Sequence, residues 1–129
     1  MIVLLNTSTA DSHLVILSGD SVLIDAVWHA DRELAEKLLS FLRESLDSVG
    51  GTWDDIQGVG FYKGPGSFTG LRIGASVVNT LASDRGFPIV AVGGDDWQAE
   101  ARERLGAGED DRIVQPDYGR PANITQPRK

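Results

Sequence analysis

Apolar runs alternate with short polar breaks along the chain, and the period of the runs changes on the way. "MIVLLN" is an unbroken apolar run rich in Ile, Val and Leu, the pattern of a strand buried on both faces. After the small polar turn "TSTADS", the runs "HLVILS" and "SVLIDAVW" predict two more strands joined through "GD", whose glycine suits a tight hairpin. The first three strands therefore read as an antiparallel meander. The period then lengthens. Leu34, Leu38, Leu42 and Leu46 recur at i+4, with Ala35, Leu39 and Phe41 widening the stripe, which predicts a helix. Asp31 is placed to cap that helix, Glu33 lies in its first turn against the positive end of the dipole, and Gly50-Gly51 ends it. The stripe is broad for a helix lying on one sheet. Its flank around Leu34, Leu38 and Phe41 either faces a partner or is covered by a loop or the next helix, and the pattern leaves both open.

"TWDDI" predicts a short capped turn, with Asp55 three residues after Thr52. "GVGFY" reads as a fourth strand. A glycine-rich loop then runs into a helix predicted over residues 67–84, with Gly86 beyond it, and "FPIVAVG" reads as a fifth strand. A weaker, charged helix follows over residues 95–105. "GAGEDD" reads as a linker, and "RIVQPDYGRPANITQPRK", with three prolines, as an extended tail. The expectation is an α/β chain with a mixed five-stranded sheet in the order β-β-β-α-β-α-β-α. Residues 1–105 form a single lobe and residues 106–129 a linker and tail, without internal repeats.

Composition narrows the class. The 129 residues are 41% hydrophobic and 24% charged, ordinary for a soluble domain, and long enough to bury a core. A formal charge of −7 argues against nonspecific binding of nucleic acid or an anionic membrane by the chain as a whole. The charge is uneven. Residues 95–111 hold seven acids (Asp95, Asp96, Glu100, Glu103, Glu109, Asp110, Asp111) against Arg102 and Arg104, on what reads as an unanchored polar segment. From residue 112 onward Arg112, Arg120, Arg128 and Lys129 face only Asp117, which hints at a contact role for the basic tail or at a solvated terminus. With no cysteine there is no disulfide, thiolate zinc site or cysteine nucleophile. No basic region precedes the first apolar run and no stretch is long enough to span a bilayer, so a cytoplasmic protein without a membrane role is expected.

The stretch "YKGPGSFTGLRIG", residues 62–74, raises the question of a phosphate cradle. A Walker loop places its lysine after the turn, whereas Lys63 precedes the glycines and Gly70 is followed by Leu71-Arg72. A dinucleotide fingerprint is G-x-G-x-x-G, and the spacing from Gly66 to Gly70 is one residue too long. Free N–H groups at the helix start still allow an anion there. The rival reading is therefore a small nucleotide-binding enzyme using the Gly64–Gly70 loop. Within the helix, Gly70 and Gly74 lie one turn apart, each costing about 1 kcal/mol relative to alanine. Two such residues on one side predict a close backbone neighbour, either the sheet beneath or a partner helix. Catalytic constellations do not emerge. His13 and His29 lack metal-site spacing, and "GPGSFTG" is no nucleophile elbow, so Ser67 reads as a helix-start residue.

"GVGFYKGPGSFTGLRIGASVVNTLA" resembles the signature of the TsaB (YeaZ) family, in which G-P-G-S-F-T-G-L-R-I-G is the most characteristic segment. "IVLLNTSTADSHLVIL" resembles that family's opening strand and hairpin, and "PDYGRPANITQPRK" its tail; together the likeness covers residues 1–93 and the last fourteen. The element order is similar to the ribonuclease-H-like core found in each lobe of the actin, Hsp70 and sugar-kinase superfamily. The resemblance implies an actin-like ATPase lobe in a noncatalytic partner subunit. That subunit takes part in making N6-threonylcarbamoyladenosine (t6A) at adenosine 37 of tRNAs that read ANN codons.

On this resemblance the chain pairs with the catalytic subunit TsaD as a heterodimer, the ATPase TsaE joins the assembly, and ATP or ADP and metal sit on those partners rather than on this chain. The pairing surface it implies combines Leu34, Leu38 and Phe41 with Ser67, Phe68, Thr69, Gly70, Arg72, Ile73, Gly74 and Val77, with no catalytic or metal-binding residue. A homodimer through the same helices is compatible with it, and tRNA contact is indirect or through the basic tail. Two departures stand out. Asn6 occupies a position where family members carry Asp, a carboxylate that in actin-like ATPases helps hold nucleotide-bound Mg²⁺, although Asp11 is close enough in sequence to substitute. A second lobe expected after about Gly93 is replaced by some twenty residues, which reads as a shortened, one-lobe form without an interlobe cleft.

Overall fold

The structure is a computed structural model and describes residues 1–117; the tail residues Arg120, Arg128 and Lys129 lie outside them. Strands β1 (Ile2–Asn6), β2 (Asp11–Ser18) and β3 (Ser21–His29) form the expected antiparallel meander. Helix α1 (Leu34–Ser48) carries the chain across one face of the sheet to β4 (Gly58–Tyr62), which lies parallel to β1. Helix α2 (Phe68–Arg85) then returns to β5 (Ile89–Val92), parallel to β4, and α3 (Trp97–Gly106) follows. The sheet order is β3-β2-β1-β4-β5, so the first strand, apolar from Ile2 to Leu5, sits at its centre. This is the mixed five-stranded α/β lobe the patterning predicts.

Two apolar layers flank the sheet. On one side Val3, Leu5, Leu14, Ile16, Val59, Phe61 and Ile89 meet the inner faces of α1 and α2. On the other, Leu4, Val15, Leu17, Val90 and Val92 meet Trp97 and Ala101 of α3. Strands β1 and β5 feed both layers, which is why their sequences are apolar at consecutive positions rather than alternating.

Three expectations change. Asp31 does not cap α1: the N–H groups of Ala30 and Asp31 both reach the Ala10 carbonyl, each at 3.1 Å, pulling the chain off β3 through a tight turn. Asp31 takes φ 46° there, and the α-helix begins only at Leu34, without a side-chain cap. The acidic segment is not unanchored, because Asp111 receives hydrogen bonds from Arg104 and from the Ala91 N–H. Nor are residues 107–117 a free linker. They hold no helix or strand, but Val114 is buried with 2% exposure and belongs to the α1/α2 layer. The Thr52–Asp55 turn, by contrast, forms with its reciprocal capping box, the Thr52 N–H donating to Asp55 at 2.8 Å.

Candidate partner-binding face

The loop after β4 is built against the first turn of the chain. The Ser67 N–H donates to the Ser8 carbonyl at 2.7 Å, and the Ser67 hydroxyl oxygen accepts from the Gly70 N–H at 3.3 Å as the helix cap. The buried Thr7 hydroxyl donates to the Gly70 carbonyl at 2.7 Å, fastening the first turn of α2 to the end of β1. A Cβ on Gly70 would strike the Thr7 carbonyl oxygen, and one on Gly74 would strike the Thr7 hydroxyl and, at 2.8 Å, the Phe61 ring. The helical glycines therefore face the chain's own sheet. Their assignment to a partner surface is corrected: the close neighbour is Thr7 with Phe61. Two of the loop's donors are turned inward in the same way, the Ser67 and Gly70 N–H groups, and Gly66 closes onto Ser8.

Helix α1 brings a second correction. Leu34 and Leu38 are 5% and 0% exposed, packed into the core with Leu42 and Leu46, so the i+4 stripe is the sheet-facing side. Phe41 is half-buried and stacks on Trp28 of β3, ring centroids 4.7 Å apart. Of the expected surface, Ser67, Phe68, Thr69 and Arg72 are exposed, and Ile73 and Val77 are half-buried at its base. Phe68 remains 50% exposed, with the Arg72 guanidinium 5.3 Å from its ring centroid. These residues of α2 do come together, one above another at helical spacing.

What they meet on α1 is the pair Ala35 and Leu39, not the expected Leu34, Leu38 and Phe41. Ala35 lines a shallow groove with Thr69, Arg72, Ile73, Ser76 and Val77, and the groove continues past Leu39, Trp53, Thr80 and Leu81. Leu39 is 51% exposed. Sequence reasoning placed it at the edge of the core stripe; the signal that separates it is the second i+4 pair Ala35–Leu39, one position on from the core leucines. The resulting face is apolar along its floor, with small residues between the helices. Arg85 closes one end against Asp54 at 3.2 Å.

The histidines, placed on separate strands, each face a carboxylate of the adjoining strand. His13 Nε2 lies 2.6 Å from Asp25, and His29 Nδ1 lies 2.5 Å from Asp11 across β2 and β3. The hydrogen bond to Asp11, with that carboxylate's charge and a smaller contribution from Asp31, raises the His29 pKa above its ordinary value of 6.5. Asp11, the candidate substitute for the absent carboxylate at position 6, is thus engaged by His29. Asn6 itself accepts from the Ser8 N–H at 2.8 Å. Among the described residues, no group of three or more His, Asp or Glu is arranged to hold a metal ion.

The family model described as "TsaD: tRNA N6-adenosine threonylcarbamoyltransferase" matches residues 28–104. The tRNA threonylcarbamoyladenosine biosynthesis protein TsaB of Haemophilus influenzae is 30% identical over 106 residues, covering 81% of this chain and 44% of that protein. A tRNA N6-adenosine threonylcarbamoyltransferase of Ralstonia pickettii is 41% identical over 63 residues, 49% of this chain and 18% of the relative. The solved structure of YeaZ from Pseudomonas aeruginosa superposes with a TM-score of 0.68 at 30% identity, covering 83% of this chain and 49% of the other. The chain thus spans less than half the length of these relatives.

Proposed function

The chain belongs to the family described as tRNA N6-adenosine threonylcarbamoyltransferase, where it stands with the TsaB (YeaZ) proteins, and from that premise we propose that it is a noncatalytic pairing subunit in threonylcarbamoyladenosine biosynthesis. Its partner in this reading is a TsaD-type catalytic subunit, with a TsaE-type ATPase joining the assembly. Nucleotide, metal and the adenosine 37 of the tRNA are then handled by those partners in the cytoplasm. One observation carries the reading: the exposed face between α1 and α2, where Leu39 stands half open to solvent beside Ile73 and Val77, with Phe68 half exposed at the start of α2. Covering what remains open of either large side chain is worth roughly 1 kcal/mol. A face of this kind suits a helix pair presenting its own apolar stripe.

Mixing the purified chain with its cognate TsaD-type subunit and following sedimentation tests the proposal. A stoichiometric complex at micromolar concentrations is expected. Its absence would sink the idea, and a dimer of this chain alone through the same face would displace the catalytic subunit as the preferred occupant. Calorimetry of the isolated chain with ATP and Mg²⁺ addresses the enzyme reading, for which saturable heat is the outcome that counts against a purely pairing role.

A further inference from the structure

Strand β5 ends the sheet, and a sheet edge carries a row of N–H and C=O groups open to another strand. Toward β4, the Pro88 and Val92 carbonyls accept from the Val59 and Lys63 N–H groups, which leaves Ile89 and Ala91 pointing outward. Every one of their four backbone groups is taken by the segment that follows. The Ile89 N–H donates to the Asp110 carboxylate at 3.1 Å, and the Ile89 carbonyl accepts from the Asp111 N–H at 2.7 Å. The Ala91 N–H donates to the Asp111 carboxylate at 2.8 Å, and the Ala91 carbonyl accepts from Arg104 Nη1 at 3.1 Å.

The strap that does this is itself held at several points. Arg104 grips Asp111 at 2.5 Å and Glu109 at 2.7 Å. Farther along, the Asn79 side chain on α2 donates to the Val114 carbonyl at 3.0 Å and accepts from its N–H at 2.8 Å, as a neighbouring strand would. The Asp117 N–H then reaches the Lys63 carbonyl at 2.6 Å, and Gly64 leaves the room this needs, since a Cβ there would lie 2.6 Å from the Asp117 carbonyl oxygen.

A strand edge can be closed by pairing it with another strand. Here it is closed mostly by charged side chains, which cannot propagate a ladder. The guarded strand, "IVAV", is apolar, uncharged and rich in β-branched residues, side chains that favour pairing with a further strand. We propose that residues 104–117 are an edge guard, and that the β5 edge beneath them docks the β5 edge of a second copy of this chain when the guard is released. The device belongs to the lobe itself and does not depend on what binds the helical face.

The test is the 129-residue chain carrying Arg104→Ala and Asp111→Ala in a Leu39→Asp background, chosen to weaken association through the helices. Hydrogen exchange of the Ile89 and Ala91 amides should accelerate about tenfold, the weight of roughly one net hydrogen bond, while the Leu5 and Leu14 amides keep their protection. Sedimentation should show concentration-dependent dimers or larger species absent from the Leu39→Asp parent. Unchanged exchange at Ile89 and Ala91 would overturn the guard. Faster exchange with a chain monomeric at all concentrations would overturn the docking edge. Loss of protection at Leu5 and Leu14 as well would show the segment to be core rather than a separable guard, and a milder Asp111→Asn variant repeats the measurement with the shape preserved.

Discussion

Gly74 sits in the middle of a helix, where alanine is ordinarily the better residue by about 1 kcal/mol. Its neighbours reverse that preference. The Thr7 hydroxyl and the Phe61 ring occupy the space a Cβ needs, and both are fully buried. Gly74→Ala should therefore lower stability by about 1–3 kcal/mol, the range for overpacking a tight core, despite the gain in helix propensity. Thermal unfolding checks it, and a variant as stable as the parent would mean that α2 can lift from β1 without cost. Thr7→Val removes the hydroxyl that holds the Gly70 carbonyl and should cost about 1 kcal/mol. Neither glycine was readable as inward-facing from spacing alone. The motif shows that something approaches closely, but the identity of the neighbour depends on the Ser8–Ser67 and Thr7–Gly70 bonds, which span some sixty positions of sequence.

At the scale of an element, α1 separates two roles that its sequence blends. Leu38 is fully buried and Leu39 is half exposed, one position apart. Leu38→Ala should cost about 2–5 kcal/mol of stability through the cavity it leaves. Leu39→Asp should leave the melting temperature nearly unchanged and weaken binding of a TsaD-type partner about tenfold to a hundredfold, the range for losing an interface anchor. Binding unaffected by Leu39→Asp would remove this face from the pairing surface. The elements themselves were legible, because periodicity reports burial directly: the meander, the i+4 helix and the two apolar parallel strands all stand where the pattern puts them. The direction of each stripe was not. A period says that a helix has a covered side, and only the sheet order says which residues cover it.

The segment after α3 was the least legible part, since its glycines, acids and prolines match a linker and its anchoring uses charged side chains on a strand edge. That anchoring makes the whole lobe sensitive to acid at one place. Burial alone would push the Asp111 carboxyl up, but the Arg104 hydrogen bond, the Ala91 N–H, and the positive charges of Arg104 and Lys63 together hold it below its ordinary value of 3.8. Glu109 shares Arg104 with it, and Asp110 is hydrogen-bonded to Ile89 beside it. A carboxyl whose folded pKa is depressed contributes stability that is fully present above its unfolded value and is lost as pH falls through the folded one. Exchange at Ala91 relative to Leu5 should therefore be flat from neutrality to the ordinary carboxylate range and rise below it, before the two apolar layers give way. Asp111→Asn should flatten that rise at the expense of weaker protection throughout. If Ala91 and Leu5 instead lose protection together at every pH, the strap and the sheet open as one unit, and the edge of β5 is closed by the fold as a whole rather than by the carboxylate clamp.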